Sequence, residues 1–197
     1  MKISLCTIGS TGDVLPFLVL ARALARRGHE VRASSAGMYA DLAASVGVDY
    51  RPFPGDYAAL LDQDAMKRVL GKNPFTIGRR LRESVYPIIE SSLETFLQES
   101  EWADVVVYHP KALVDVFGAR FPEKLVKAYV VPAFTPTRAF ACPVFSGLPI
   151  PRLLRRPSYR LATALLSTVK APIRAFAARH GLPRRARFLE SPTLYGI

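Results

Sequence analysis

Lys2-Ile3-Ser4-Leu5-Cys6-Thr7-Ile8-Gly9-Ser10-Thr11-Gly12-Asp13-Val14-Leu15-Pro16-Phe17 opens the chain, and its reading decides the architecture. Lys2 to Ile8 is a short strand-forming run that ends at the turn formers Gly9-Ser10-Thr11-Gly12. Phe17, Leu20, Ala21 and Leu24 then recur at i, i+3, i+4 and i+7, the spacing that lines one face of a helix. Arg26 and Arg27 place cations at the negative end of that helix, Gly28 stops it, and His29 to Ala33 restarts as a strand. This is one βαβ unit, for which a right-handed parallel crossover is the strong default.

The alternation continues downstream. Tyr39, Leu42, Ala43 and Val46 share a helical face within Met38 to Val46, Gly47 ends that helix, and Val48 to Phe53 makes a third strand. Asp56 to Leu70 and Thr76 to Glu99 read as two helices, the second kinked at Pro87. Val105-Val106-Val107-Tyr108 is a continuous apolar run, as expected of a central parallel strand buried on both faces, so His109 should lie at a strand's carboxyl end. Lys111 to Arg120 reads as a helix and Leu125 to Val131 as a strand. Pro132 to Pro157 reads as a long Pro-rich loop, and Ser158 to His180 as a closing helix bent at Pro172 and stopped at Gly181. No repeat or linker divides the chain. The expectation is one α/β domain over residues 1–197, a Rossmann-like three-layer parallel sheet with helices on both faces, whose apolar end Leu194-Tyr195-Gly196-Ile197 reads as a chain interrupted mid-structure.

Composition narrows the function classes. The chain carries 27 basic and 16 acidic residues, a net charge of +11, which points to an anionic partner. Its basic residues sit in expected helices and gather late, at Arg152, Arg155, Arg156 and Arg160 and at Arg184, Arg185 and Arg187. No RNA-stacking or zinc-finger signature accompanies them, so no nucleic-acid partner is expected. Cys6 and Cys142 are too few for a disulfide framework, which points to a reducing cytoplasm. His29, His109 and His180 lack metal-ligand spacing, so no metal is expected. The apolar start is interrupted by Gly9, Gly12, Asp13 and Pro16, and residues 129–151 by Pro132, Pro136, Pro143, Pro149 and Arg138, so neither reads as a signal peptide or a membrane span.

In open α/β sheets ligands bind beyond the carboxyl ends of strands, where Gly9 to Asp13 falls. Gly9 and Gly12 permit close backbone approach there, while the plainer reading is a tight turn with Asp13 capping the helix. The loop matches neither GxxxxGKS/T nor GxGxxG, and Asp13 would repel an anion from the helix N-terminus. The second strand ends Arg32-Ala33-Ser34, without the acidic residue a dinucleotide oxidoreductase needs.

The chain resembles the two-domain GT-B glycosyltransferases that include sterol glucosyltransferases and those of vancomycin- and macrolide-type antibiotics. These begin with a strand, a G-S/T-x-G-D-x-x-P-F/Y loop, a helix and an A-x-G-H-E-V second strand. Gly9-Ser10-Thr11-Gly12-Asp13-Val14-Leu15-Pro16-Phe17 and Arg27-Gly28-His29-Glu30-Val31 match them apart from a trivial departure at Arg27. The resemblance continues through Ala103 to Pro110, His180-Gly181-Leu182-Pro183 and Ser191 to Ile197. It implies the N-terminal, acceptor-binding half of a GT-B fold, with the nucleotide-sugar donor, a co-substrate and not a cofactor, held mainly by a C-terminal domain absent from this sequence.

The implied activity is inverting hexosyl transfer from a nucleotide-sugar such as a UDP-sugar to a hydroxyl of a lipophilic small molecule, a sterol, lipid or polyketide. The resemblance casts Asp13 as general base, and Gly9, Ser10, Thr11, Gly12, His109 and Phe134 are the candidate acceptor-site residues. Ser10 and Thr11 could equally be plain loop formers, and His109 a structural histidine or a partner of Asp13. Phe134, Phe140 and Phe145 would line an apolar mouth or form a small core under their loop. Arg152, Arg155 and Arg156 beside that loop would suit peripheral association with an anionic membrane. The competing class is a stand-alone Rossmann-like binding module.

Overall fold

A computed structural model describes residues 1–58, 83–130, 136–142, 145, 149–165, 170–183 and 195–196. Along the chain these form β1 (Lys2–Cys6), α1 (Thr11–Arg26), β2 (Glu30–Ser34), α2 (Ala40–Ser45), β3 (Asp49–Tyr50), α3 (Tyr86–Trp102), β4 (Val105–Tyr108), β5 (Leu125–Tyr129), α4 (Arg152–Leu165), α5 (Lys170–Arg179) and β6 (Tyr195–Gly196). Every strand pair is parallel, in the order β3-β2-β1-β4-β5-β6. From β1 the chain winds outward through β2 to β3, then returns to the other side of β1 as β4. The order therefore reverses between β1 and β4, and a doubly wound sheet opens its ligand crevice at such a point.

Two layers of helix cover the sheet. The register pairs Ser4 with Val106 and Cys6 with Tyr108, and β4 pairs Tyr108 with Lys127, so these side chains share one face. Helix α3 covers that face, since Ser4 Oγ donates to Glu99 Oε2 at 3.1 Å, and α5 packs against α3. Arg32 reaches the same carboxylate, Nη1 to Oε1 at 3.8 Å, while its guanidinium lies 3.8 Å from the Trp102 ring centroid. Burial pushes the Glu99 carboxyl up, opposed by the Ser4 hydroxyl and the Arg32 charge. Helix α1 packs against β1 and β2 with Val14, Phe17, Leu18 and Ala21 fully buried. On the α3 side Phe53 meets Phe96 edge to face at 5.9 Å, and Phe117 meets Phe176 at 6.1 Å. Gly28, at φ +84°, follows the α1 C-cap in the left-handed conformation that a side chain disfavours.

Several sequence expectations are corrected. The kink at Pro87 is a break: a turn at Val85 separates a helical stretch at residues 83–84 from α3, and Pro87 sits in the first turn of α3, where its missing N–H loses no hydrogen bond. Lys111 to Arg120 is no α-helix but two 3-10 turns, Pro110–Ala112 and Val114–Phe117, separated by Leu113 at φ +59°. A left-handed residue there ends one turn before the next can begin. The Pro-rich loop is shorter than expected, because α4 starts at Arg152 and carries Pro157 within it. Of the closing helix, the described residues form α4 up to Leu165 and α5 from Lys170, with Pro172 within α5. Most of the helix expected at Asp56 to Leu70 and the start of that at Thr76 lie outside the described residues, as do Arg184, Arg185 and Arg187.

Phe96 has no solvent exposure and sits at the centre of the α3 contact. Phe96→Ala should lower the unfolding free energy by about 3–5 kcal/mol, the usual loss for an aromatic core truncation. Urea unfolding of both forms checks this; a difference below about 1 kcal/mol would mean that α3 does not pack as described.

Candidate active site

Helix α1 takes Ser10 as its N-cap, with Asp13 at the third helical position. Asp13 Oδ2 accepts hydrogen bonds from the Ser10 backbone N–H at 2.9 Å and from Ser10 Oγ at 3.1 Å. This satisfies an amide that a helix start otherwise leaves orphaned, the reciprocal arm of a capping box. The reading in which Asp13 itself is the N-cap is thus corrected: Ser10 caps, and the Asp13 carboxylate folds back onto it. The folding-back has a steric condition at Gly9. A Cβ there would lie 2.1 Å from Asp13 Oδ2 and 2.5 Å from its Cγ, and the φ of +153° is one that side chains disfavour. Gly12 is under no such demand from the protein, as its Cβ would meet only Ser10 Oγ at 3.7 Å. Ser10, Thr11 and Gly12 form the exposed rim, while Gly9 and Asp13 are buried behind it.

Neighbouring elements hold this loop in place. Thr7 Oγ1 donates to the Asp13 carbonyl at 3.2 Å, and the Tyr39 hydroxyl donates to the Gly9 carbonyl at 2.9 Å. Burial, then Tyr39 and the Asp13 charge, push the Tyr57 phenol up to about 12, so it remains a neutral hydroxyl beside the site.

The other wall comes from β4. His109 follows that strand, its side chain fully buried, and its Nε2 lies 3.9 Å from Asp13 Oδ1. Its Nδ1 accepts the Lys111 backbone N–H at 3.3 Å, so in the neutral ring the proton resides on Nε2, facing the carboxylate. Burial, reinforced by the Lys111 charge and opposed by Asp13, pushes the ring down to about 4. Lys111 Nζ lies 2.9 Å from both Asp13 oxygens. Burial is the largest single influence on the Asp13 carboxyl and would raise it. The Lys111 hydrogen bond and charge, the Ser10 amide and His109 together outweigh burial and hold it below the ordinary value. At neutral pH the site therefore holds a carboxylate, an imidazole and an ammonium.

Of the sequence-predicted residues, Gly9, Ser10, Thr11, Gly12, Asp13 and His109 come together here. Phe134 lies outside the described residues. Phe145 packs with Cys142 and Tyr159 in a small cluster, whereas Phe140 is exposed. Sequence reading missed Lys111 and Tyr39. The only local signal for Lys111 was its place two residues after a strand-ending histidine, in a turn opened by Pro110. His180 instead meets Glu94, at 3.1 Å, and stacks on Phe176 at 4.3 Å.

A parallel sheet reversing its order between β1 and β4, with an ionised carboxylate at that reversal, defines an α/β domain with a candidate acid–base site. The glycosyltransferase family 28 N-terminal domain matches residues 3–114, more than half of the chain, and the chain belongs to that family. It is 31% identical over 122 residues to an O-mycaminosyltylonolide 6-deoxyallosyltransferase of Streptomyces fradiae, covering 60% of this chain and 28% of that protein. It is 28% identical over 151 residues to a sterol 3-beta-glucosyltransferase of Arabidopsis thaliana, covering 73% of this chain and 24% of that one. The solved calicheamicin glycosyltransferase superposes with a TM-score of 0.60 at 15% identity, over 99% of this chain and 47% of its own. The fold is thus that of the N-terminal half of a GT-B glycosyltransferase, and the chain spans about a quarter of these two curated relatives and about half of the solved one.

The His109 ring supplies a stability test. Its folded-state value near 4 lies below its ordinary 6.5. Between these two the unfolded chain binds more protons, so stability from this group is complete above pH 6.5 and is lost as pH falls toward 4. The full loss is about 3 kcal/mol. Urea unfolding between pH 7 and 4.5 should show a steeper fall for the natural protein than for His109→Gln; equal slopes would contradict the buried neutral ring.

Proposed function

We propose that this domain is the acceptor-binding half of an inverting glycosyltransferase that moves a hexosyl group from a nucleotide-sugar to a hydroxyl of a lipophilic small molecule, with Asp13 as general base. The observation that carries the reading is the Asp13 carboxylate. It is held charged at the sheet's reversal point and 13% exposed, and Lys111 is the one hydrogen-bond donor within 3 Å of its Oδ1 among the described residues. Oδ1 retains a lone pair for the acceptor's O–H. As the acceptor oxygen bonds to the anomeric carbon, its proton passes to Oδ1. The bond from that carbon to the nucleoside diphosphate breaks, the leaving oxygen keeps the electron pair, and attack from the opposite face inverts the centre. The names of the relatives, a sterol glucosyltransferase and a 6-deoxyallosyltransferase, support a sugar as the transferred group. In this reading a second domain outside this sequence holds the donor.

In the polypeptide carrying both domains, Asp13→Asn should lower turnover by roughly 10²–10⁴-fold, the usual contribution of a positioned base. Nucleotide release from UDP-glucose with a sterol acceptor measures it, and near-unchanged turnover would remove Asp13 from the role.

The surface of α4 supports peripheral association with an anionic membrane as part of the same reading. Leu153, 83% exposed, and Leu161 stand two turns apart around Pro157, with Leu154 beside them. Arg152, Arg156 and Arg160 repeat at the same spacing on the adjacent exposed row. Arg155 donates to the Ala139 carbonyl at 2.7 Å and Ser158 Oγ accepts from Cys142 N–H at 2.8 Å, which ties the segment bearing exposed Phe140 to the helix. A row of leucines beside a row of arginines suits an anionic interface, at about 1 kcal/mol per basic residue. Co-sedimentation should be strong with phosphatidylserine vesicles, weak with phosphatidylcholine ones, and lost on changing the three arginines to glutamate. Sedimentation indifferent to lipid charge would refute the association.

A further inference from the structure

Lys111 is 98 residues from Asp13 in sequence, yet its ammonium lies 2.9 Å from both carboxylate oxygens. An ammonium equidistant from the two oxygens sits near the bisector of the carboxylate. The Ser10 amide and hydroxyl both engage Oδ2, so turning the carboxylate plane away from them would break those bonds. The carboxylate is therefore held on two sides, by Ser10 at Oδ2 and by Lys111 across both oxygens, while the His109 ring lies 3.9 Å from Oδ1. Resting on Asp13 as general base, we propose that Lys111 is a positioning residue: its ammonium clamps Asp13 so that the carboxylate stays charged and presents Oδ1 to the acceptor hydroxyl.

The electrostatics agree with this geometry. Burial alone would favour the neutral acid, which has no charge with which to draw a proton, and Lys111 is the strongest influence opposing burial. The groups around the carboxylate come from each element of the site: Ser10 from the first loop, His109 and Lys111 from the turn after β4, and the Tyr39 and Tyr57 phenols from the β2 side. Among these Lys111 is the sole cation at neutral pH, since the His109 ring is neutral there. Its side chain is 39% exposed, so it borders the space an acceptor would enter. Once Asp13 has taken the acceptor's proton, the adjacent ammonium makes the new acid a strong one, and the proton passes on to water, resetting the base.

The test is a titration of the Asp13 carboxyl carbon by 13C NMR in this chain, with Lys111→Met and Lys111→Arg. Lys111→Met should move the Asp13 midpoint up by at least about one pH unit, within the range an adjacent opposite charge produces. Lys111→Arg, which keeps the charge, should return it close to the natural protein. In the two-domain polypeptide the acid limb of kcat/KM should follow the same order. An unmoved midpoint in Lys111→Met, or a Lys111→Arg form displaced as far as the Met form, overturns the clamp and leaves the base role of Asp13 standing. An Asp13→Asn enzyme with normal turnover overturns the base role and the proposal with it.

Discussion

A carboxylate placed almost wholly inside a protein must be met by donors or lose its charge, and in this domain Asp13 imposes that condition on everything around it. Its Oδ2 takes the Ser10 amide and hydroxyl, which fixes the first turn of α1. It leaves no space for a side chain at Gly9. The remaining charge balance cannot come from the same loop, because Ser10, Thr11 and Gly12 carry none. It comes from Lys111, brought alongside by the neighbouring strand. The site is thus a property of two strands being adjacent as much as of a motif.

That adjacency rests on burial. β4 lies between β1 and β5, with Val106 and Tyr108 buried under α3. An apolar strand with no polar face is stable only in such a central position. Once β4 lies beside β1, the turn after it must face the turn after β1, because parallel strands end at the same edge. Buried Phe17 of α1 approaches the His109 ring edge-on at 6.2 Å, so packing of the α1 layer also fixes the second wall of the site.

The fold was legible in the sequence wherever its determinants were local. β1, α1 and β2 follow from one apolar run, one loop and one helical stripe, and β4 from four consecutive apolar residues. Local reading failed where tertiary context overrode it. Leu113 takes a left-handed conformation that its identity does not advertise, and Pro157 lies inside a helix that its presence argued against. At the site, Asp13 and His109 were legible because both follow strands in the chain itself. Lys111 was not, since its role depends on a contact across 98 residues that no spacing rule encodes. Tyr39 was legible as a core residue of a helical face, but not as the donor to the Gly9 carbonyl, for the same reason.

The most direct test of the account is a crystal structure of the two-domain polypeptide with a bound acceptor. The account predicts the reacting hydroxyl oxygen within hydrogen-bond reach of Asp13 Oδ1, about 2.6–3.2 Å, with Lys111 Nζ still on the carboxylate. An acceptor hydroxyl seated against another base, with Asp13 turned into the protein and out of reach, would contradict it.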